Sequence, residues 1–163
     1  MYIFKCAVVG AGAMGGEIAQ VISWSGLPVL LKDVDQAALD RGMATARSVY
    51  QRRVDKGKLA AAEMEEKLSL ITPTLTYDRF ADVDFVIEAV PEKLDLKQAV
   101  FRELDGVCQS TAILATNTSA LSIAAIASRS ASLSSGFEGV SIQIIRVLGR
   151  IAASNAARFA GSA

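Results

Sequence analysis

The residues best suited to chemistry are three glycines and an acid near the start of the sequence. Gly10-Ala11-Gly12-Ala13-Met14-Gly15 has the spacing G-x-G-x-x-G, and Asp33 stands 23 positions after Gly10. In such a turn the first glycine permits a tight bend. The second lets a pyrophosphate approach the backbone, and the third lets a helix pack close to a strand. A helix opening there offers unpaired N–H groups and a positive dipole end to phosphate. The Asp33 carboxylate suits the hydroxyls of an adenosine ribose and would repel a 2′-phosphate. No arginine is read as following Asp33 to receive such a phosphate, although Lys32 precedes it. NAD is therefore the expected ligand, held by Gly10, Ala11, Gly12, Ala13, Met14, Gly15 and Asp33. The bland alternative is a turn and an acid with no ligand.

Two later polar runs could complete a site. One is Glu88-Ala89-Val90-Pro91-Glu92, with Lys97 just beyond; the other is Asn117-Thr118-Ser119. Simpler roles stand beside these: Glu92 favouring a helix N-terminus, and Asn117 or Ser119 capping a helix. The sequence contains no histidine. These residues therefore hold no Ser-His-Asp triad, no Cys-His pair and no histidine-containing metal site, and no metal is expected.

The elements that must position these residues follow from the apolar pattern. Tyr2 to Val9 reads as a buried strand that runs into the glycine turn. Met14 to Ser25 reads as a helix with Met14, Ile18, Val21 and Ile22 on one face, stopped at Gly26. Val29 to Leu31 is a second strand, ending at Asp33. Gln36 to about Lys56 is a long helix whose basic face (Arg41, Arg47, Arg52, Arg53, Lys56) is expected to be solvated. Ala60 to Leu68 is helical, and Leu70 with Ile71 forms a short strand before Pro73. Asp84 to Val90 is a strand. Leu94 to Val107 is an amphipathic helix with Leu96, Val100, Phe101 and Leu104 on one side. Thr111 to Thr116 is a further strand and Ser122 to Ala127 a short helix. This alternation predicts an α/β fold, a Rossmann-type doubly wound parallel sheet covered on both faces.

Composition narrows the partners. Among 163 residues, 17 basic and 17 acidic side chains balance. Neither nucleic acid nor a membrane is expected as a partner. Cys6 and Cys108 match no zinc or redox spacing and read as reduced thiols. With no leader pattern in the opening residues and no membrane-length apolar run, a cytoplasmic protein is expected.

Ala7 to Ala127 resembles the NAD-binding domain of the 3-hydroxyacyl-CoA dehydrogenases of fatty-acid β-oxidation and hydroxybutyryl-CoA metabolism. The matching stretches are Val9 to Gly15, then Val86-Ile87-Glu88-Ala89-Val90-Pro91-Glu92, then Ala115-Thr116-Asn117-Thr118-Ser119-Ala120-Leu121-Ser122-Ile123. The resemblance implies an oxidoreductase that converts 3-hydroxyacyl-CoA to 3-oxoacyl-CoA. It implies that Glu92 and Lys97 lie by the nicotinamide-side ribose. Ser119 would approach the nicotinamide and the substrate oxygen, supported by Asn117. Ser48 and Lys56 would fall near coenzyme A, though only with a gap in the alignment.

The resemblance fades after about Arg129. Family members carry a base histidine in a G-x-H-F-F-N-P stretch; here Phe137-Glu138-Gly139-Val140-Ser141 puts Ser141 in its place. No stretch matching the family's helical domain, which completes the substrate cleft and the dimer, follows. The expected organisation is an NAD-binding domain over 1–128 and an atypical tail over 129–163, frame-shifted or poorly ordered. That tail is rich in Ser, Ala, Arg and Gly; helix from Val147 to Phe159 is conceivable on its pattern. Three-frame translation of the coding DNA separates a shifted frame from a natural tail. The reading is thus a dehydrogenase domain that binds NAD but turns over negligibly by itself, its family homodimer doubtful here. A non-catalytic NAD-binding module is the alternative. A sugar-acid or small hydroxy-acid dehydrogenase is disfavoured by the two later stretches.

Overall fold

In a computed structural model, the structure describes residues 3–118, 121–122, 125–126 and 142–144. Strands of three or four residues and longer helices follow one another: β1 (Cys6–Val9), α1 (Ala13–Trp24), β2 (Val29–Lys32), α2 (Gln36–Asp55), α3 (Ala61–Ser69), β3 (Ile71–Thr74), β4 (Phe85–Glu88), α4 (Leu94–Val107), β5 (Ile113–Thr116) and β6 (Ile142–Ile144). They form one sheet in the order β3-β2-β1-β4-β5-β6, and every pairing is parallel. The order reverses between β1 and β4, which opens a crevice at the carboxyl ends of those strands.

Side chains alternate between two cores. Val8, Leu31 and Ile87 face one side, where Ile18, Leu39, Tyr50 and Leu68 of the first three helices cover them. Ala7, Leu30, Val86 and Leu114 face the other, beneath Phe101 and Leu104 of α4 and Phe80. Burial on both faces explains why the strands read as continuous apolar runs.

The predicted elements shift at their ends for identifiable reasons. β1 starts at Cys6, not Tyr2, because pairing with β2 and β4 begins there. β2 extends to Lys32, paired with Thr74. β3 runs through Pro73 instead of stopping before it. It is the edge strand, so the missing N–H faces no neighbour. Met14 and Leu96, predicted on buried helix faces, are 42% and 39% exposed. Each lies in the first turn of its helix and lines the crevice instead.

The basic face of α2 is only partly a solvated surface. The Arg53 guanidinium lies 4.3 Å from the centre of the Trp24 ring, and Arg47 pairs with Glu65 of α3. Arg52 and Lys56 are exposed. Of the short helix expected at 122–127, residues 125–126 are helical. Beyond residue 128 the structure adds β6 against β5; the rest of the tail, Ser141 and the segment Val147 to Phe159 lie outside the described residues. No helix among the described residues is long and apolar enough to cross a membrane.

Both cysteines are free, Cys6 buried and Cys108 partly so. Burial, reinforced by the Asp84 charge, pushes the Cys6 thiol up to about 12; burial and Asp105 push Cys108 up to about 11. A pKa raised in the folded state contributes stability below the unfolded value and loses it as pH climbs through the folded one. Chemical denaturation should therefore show stability falling between about pH 9 and pH 12, with Cys6→Ala flattening part of that fall. An unchanged slope in the variant would show that Cys6 does not carry it.

Candidate functional site

The crevice at the reversal is a cleft of about 740 Å³, within the range that holds a small-molecule ligand. One wall is the glycine turn. Gly10 has φ +104, and a Cβ there would stand 2.7 Å from the carbonyl carbon and oxygen of Ala89. Only glycine bridges β1 and β4 so closely. A Cβ at Gly15 would fall 1.8 Å from the Gly10 carbonyl oxygen, whereas one at Gly12 meets nothing within 4 Å. Gly12 is the N-cap of α1; it supplies no side-chain cap, and the first turn carries no acid. Open space thus faces unneutralised N–H groups, with Ala13 and Met14 also lining it. An anion with several oxygens suits that position.

Asp33 closes this wall. Its carboxylate accepts from the backbone N–H of Ala11 at 2.7 Å and from that of Val34 at 2.7 Å. Two N–H donors hold it aimed, with acceptor capacity left for hydroxyls. Ala11 is itself buried. The groups present therefore fit a dinucleotide: an anion cradle at the α1 terminus and a diol acceptor beside it.

The opposite wall is built on β4 and α4. Glu88 and Lys97 are both fully buried. The Lys97 ammonium donates to both Glu88 oxygens, at 2.9 and 3.0 Å, and to the Val90 carbonyl at 3.2 Å. Glu88 also accepts from the Thr116 hydroxyl at 2.6 Å and from the Val90 N–H at 2.7 Å. Every polar atom of this buried pair is satisfied, which burial demands. Glu92 stands above it, its carboxylate 3.4 Å from the same ammonium and hydrogen-bonded to the Thr118 hydroxyl. Lys97 thus faces Glu88, Glu92 and a carbonyl, and is not among the residues that line the cleft; Glu92 and Asn117 are.

The structure therefore gathers Gly10, Gly12, Ala13, Met14, Asp33, Glu92 and Asn117 around one cleft. It sets Lys97 beneath that cleft. Ser119 lies outside the described residues. Ser48 on α2 and Lys56 at its C-cap are exposed and do not line the cleft; the Ser48 hydroxyl donates to the Thr45 carbonyl. Among the described residues no cluster of acids and cysteines could hold a metal.

Several contributors were not read from the sequence. The Thr118 hydroxyl holds Glu92. Arg41 reaches the adenosine end of the cleft although it stands eight residues after Asp33, because α2 starts at the cleft rim. Its guanidinium lies 4.0 Å from Asp35. Gly16 and Gly42 let α1, α2 and the turn meet: a Cβ at Gly16 would fall 2.5 Å from the Gly42 carbonyl, and one at Gly42 would fall 2.8 Å from that of Ala11. A glycine inside a helical pattern was the available signal.

Comparison with known proteins agrees with this geometry. Residues 5–137 match the family described as 3-hydroxyacyl-CoA dehydrogenase, NAD binding domain. The fatty acid oxidation complex subunit alpha of Psychrobacter cryohalolentis is 46% identical over 125 residues, which are 77% of this chain and 17% of that protein. The chain therefore spans about a sixth of the length of that relative. The crystal structure of 3-hydroxybutyryl-CoA dehydrogenase from Escherichia coli K12 matches with a TM-score of 0.78 and 37% identity, over 87% of this chain and 29% of that one. The (S)-3-hydroxybutyryl-CoA dehydrogenase from Ralstonia eutropha matches with a TM-score of 0.77 and 36% identity, over 81% and 47%. With the glycine turn, Asp33 and the Glu88–Thr118 wall in the same cleft, the chain belongs to the 3-hydroxyacyl-CoA dehydrogenase family, as its NAD-binding domain.

Proposed function

We propose that this chain holds NAD for the oxidation of 3-hydroxyacyl-CoA to 3-oxoacyl-CoA, and that these 163 residues by themselves turn over negligibly. The observation that supports binding is the open, acid-free N-terminus of α1 at Gly12 beside a carboxylate fixed on Ala11. Gly12, Ala13 and Met14 would take the pyrophosphate, and Asp33 the adenosine diol. Glu92, steadied by Thr118, would accept from the nicotinamide-side ribose, and Lys97 would act through Glu92 as a positioning residue. NAD, when bound, supplies the hydride acceptor. Asn117 and Ser119 would lie on the substrate side; Ser48 and Lys56 would meet coenzyme A on the outer surface of α2. Residues 1–128 would form the bulk of the binding domain, with the 129–163 tail adding β6 to its sheet.

The proposed lack of turnover rests on the absence of histidine. Serine is a poor base at neutral pH without an activating partner, and losing a positioned general base costs about 10²–10⁴ in rate. Steady-state assay with 3-hydroxybutyryl-CoA and NAD should show essentially no product. Oxidation at rates ordinary for such enzymes would refute this part of the reading.

Calorimetric titration tests the cofactor. Asp33→Asn keeps an acceptor for the Ala11 N–H but removes the charge, so the turn should survive. NAD affinity should fall about 10-fold or more, while NADP, spared the repulsion, should fall less or gain. Equal affinity of the unaltered chain for both dinucleotides would contradict the role of Asp33.

A further inference from the structure

The parallel register places Lys32, Val9, Glu88 and Thr116 in one row across the carboxyl end of the sheet. Val9 belongs to the core on the α4 side, so the whole row points that way. Glu88 and Thr116 are satisfied there through Lys97. Lys32 is not: it is 94% buried by its 6% exposure, and its ammonium lies 4.1 Å from the centre of the Tyr77 ring. That ammonium makes no hydrogen bond or ion pair among the described residues. Lys32 nevertheless lines the cleft. A buried ammonium with only a ring for company is a donor awaiting an acceptor.

The surroundings say what shape that acceptor has. Leu96, Ala99, Val100 and Glu103 recur at helical spacing along one stripe of α4 and line the same part of the cleft. Val34, 83% exposed, lies across from them at the end of β2. The result is an apolar slot with an ammonium deep in it and a carboxylate at its rim. The Tyr77 hydroxyl is buried, with Glu103 beside it. Burial first, and the Glu103 charge second, push that phenol above its ordinary range. A flat apolar ring with adjacent acceptor and donor atoms on its edge fits this arrangement.

We infer that Lys32 and Glu103 read the edge of the adenine base, the ammonium donating to a ring nitrogen and the carboxylate accepting from the 6-amino group. This rests on the proposal that the cleft binds NAD. A 2′-phosphate fits Lys32 poorly, because Lys32 points to the α4 side while Asp33 is held on Ala11 beside it. Hypoxanthine replaces the amino group with a carbonyl oxygen, which the Glu103 carboxylate would repel.

The test is calorimetric titration of the whole chain with NAD, nicotinamide hypoxanthine dinucleotide and NADP. The unaltered chain should bind NAD about 10- to 100-fold more tightly than the hypoxanthine analogue, the range for a charged hydrogen bond made or lost. Glu103→Gln, whose amide can donate as well as accept, should bring the two within about 3-fold. Lys32→Met should weaken NAD about 10-fold without lowering the melting temperature, since removing a buried charge offsets the lost contact with the Tyr77 ring. An unchanged base preference in Glu103→Gln, or unchanged NAD affinity in Lys32→Met, overturns the inference while leaving NAD binding intact. If Lys32→Met weakens NADP and spares NAD, the ammonium reads phosphate and the inference also fails. Binding of none of the three dinucleotides by the unaltered chain overturns the functional reading together with it.

Discussion

Lys97→Met should lower the unfolding free energy by about 3–5 kcal/mol, the cost of leaving a buried charge without its partner. Glu88 would keep the Thr116 hydroxyl and the Val90 N–H but lose the ammonium that donates to both its oxygens. In a domain of this size the melting temperature should drop by roughly 6–20 °C. The informative variant is the double one. Lys97→Met with Glu88→Gln leaves a neutral amide whose oxygen can still accept from the Val90 N–H while its NH2 donates to the Thr116 hydroxyl oxygen, so it should be more stable than Lys97→Met alone. Urea denaturation of the two single variants and the double measures the coupling. A Lys97→Met loss below about 0.5 kcal/mol would mean that water reaches the pair and that Lys97 does not anchor this wall. NAD affinity should fall in the double variant even where stability is restored, because Glu92 has then lost the ammonium 3.4 Å away.

Alanine at each glycine of the turn should separate folding from binding. Gly15→Ala puts a Cβ 1.8 Å from the Gly10 carbonyl oxygen, so α1 must move off β1. Gly10→Ala adds strain at φ +104 to contacts of 2.7 Å with the Ala89 carbonyl group. Backbone strain of about 1–3 kcal/mol and overpacking of similar size should together destabilise these variants by about 2–6 kcal/mol. Gly12→Ala has open space around its Cβ, and the change at an N-cap costs at most about 1 kcal/mol. Its melting temperature should stay near that of the unaltered chain, yet NAD affinity should fall by 10-fold or more, because the methyl fills the place proposed for the pyrophosphate. Thermal melts with NAD titrations read both effects. Normal NAD affinity in a folded Gly12→Ala variant would remove the pyrophosphate from this cradle.

Much of this site was legible before any coordinates. The glycine turn, the helix behind it and the strand that ends at Asp33 are neighbours in sequence, and local steric rules decide their form. The resemblance of Val86 to Glu92 and of Ala115 to Ile123 named the second wall. Helix and strand ends were placed within a few residues, except where pairing decides them: β1 begins where its neighbours begin, and Pro73 sits in a strand because that strand is at the edge.

What stayed hidden depends on contacts between distant residues. Met14 and Leu96 fit a buried helical face by period, but their first-turn positions put them over the crevice. Lys97 carries an ordinary charged side chain in the sequence; only the meeting of β4, β5 and α4 encloses it with Glu88 and Thr116. Arg41 and Gly42 become part of the cofactor wall because α2 crosses the glycine turn. Lys32 is the sharpest case. By sequence it was merely the residue before Asp33, a faint argument for a 2′-phosphate. The parallel register set it in one row with Glu88, on the α4 side, over Tyr77. A slip of one residue would turn that row to the other face. The sequence by itself determined the turn, the acid and the family. The tertiary structure decided which charges are satisfied within the protein and which face the cleft, because strand register and helix packing bring together groups that no local pattern connects.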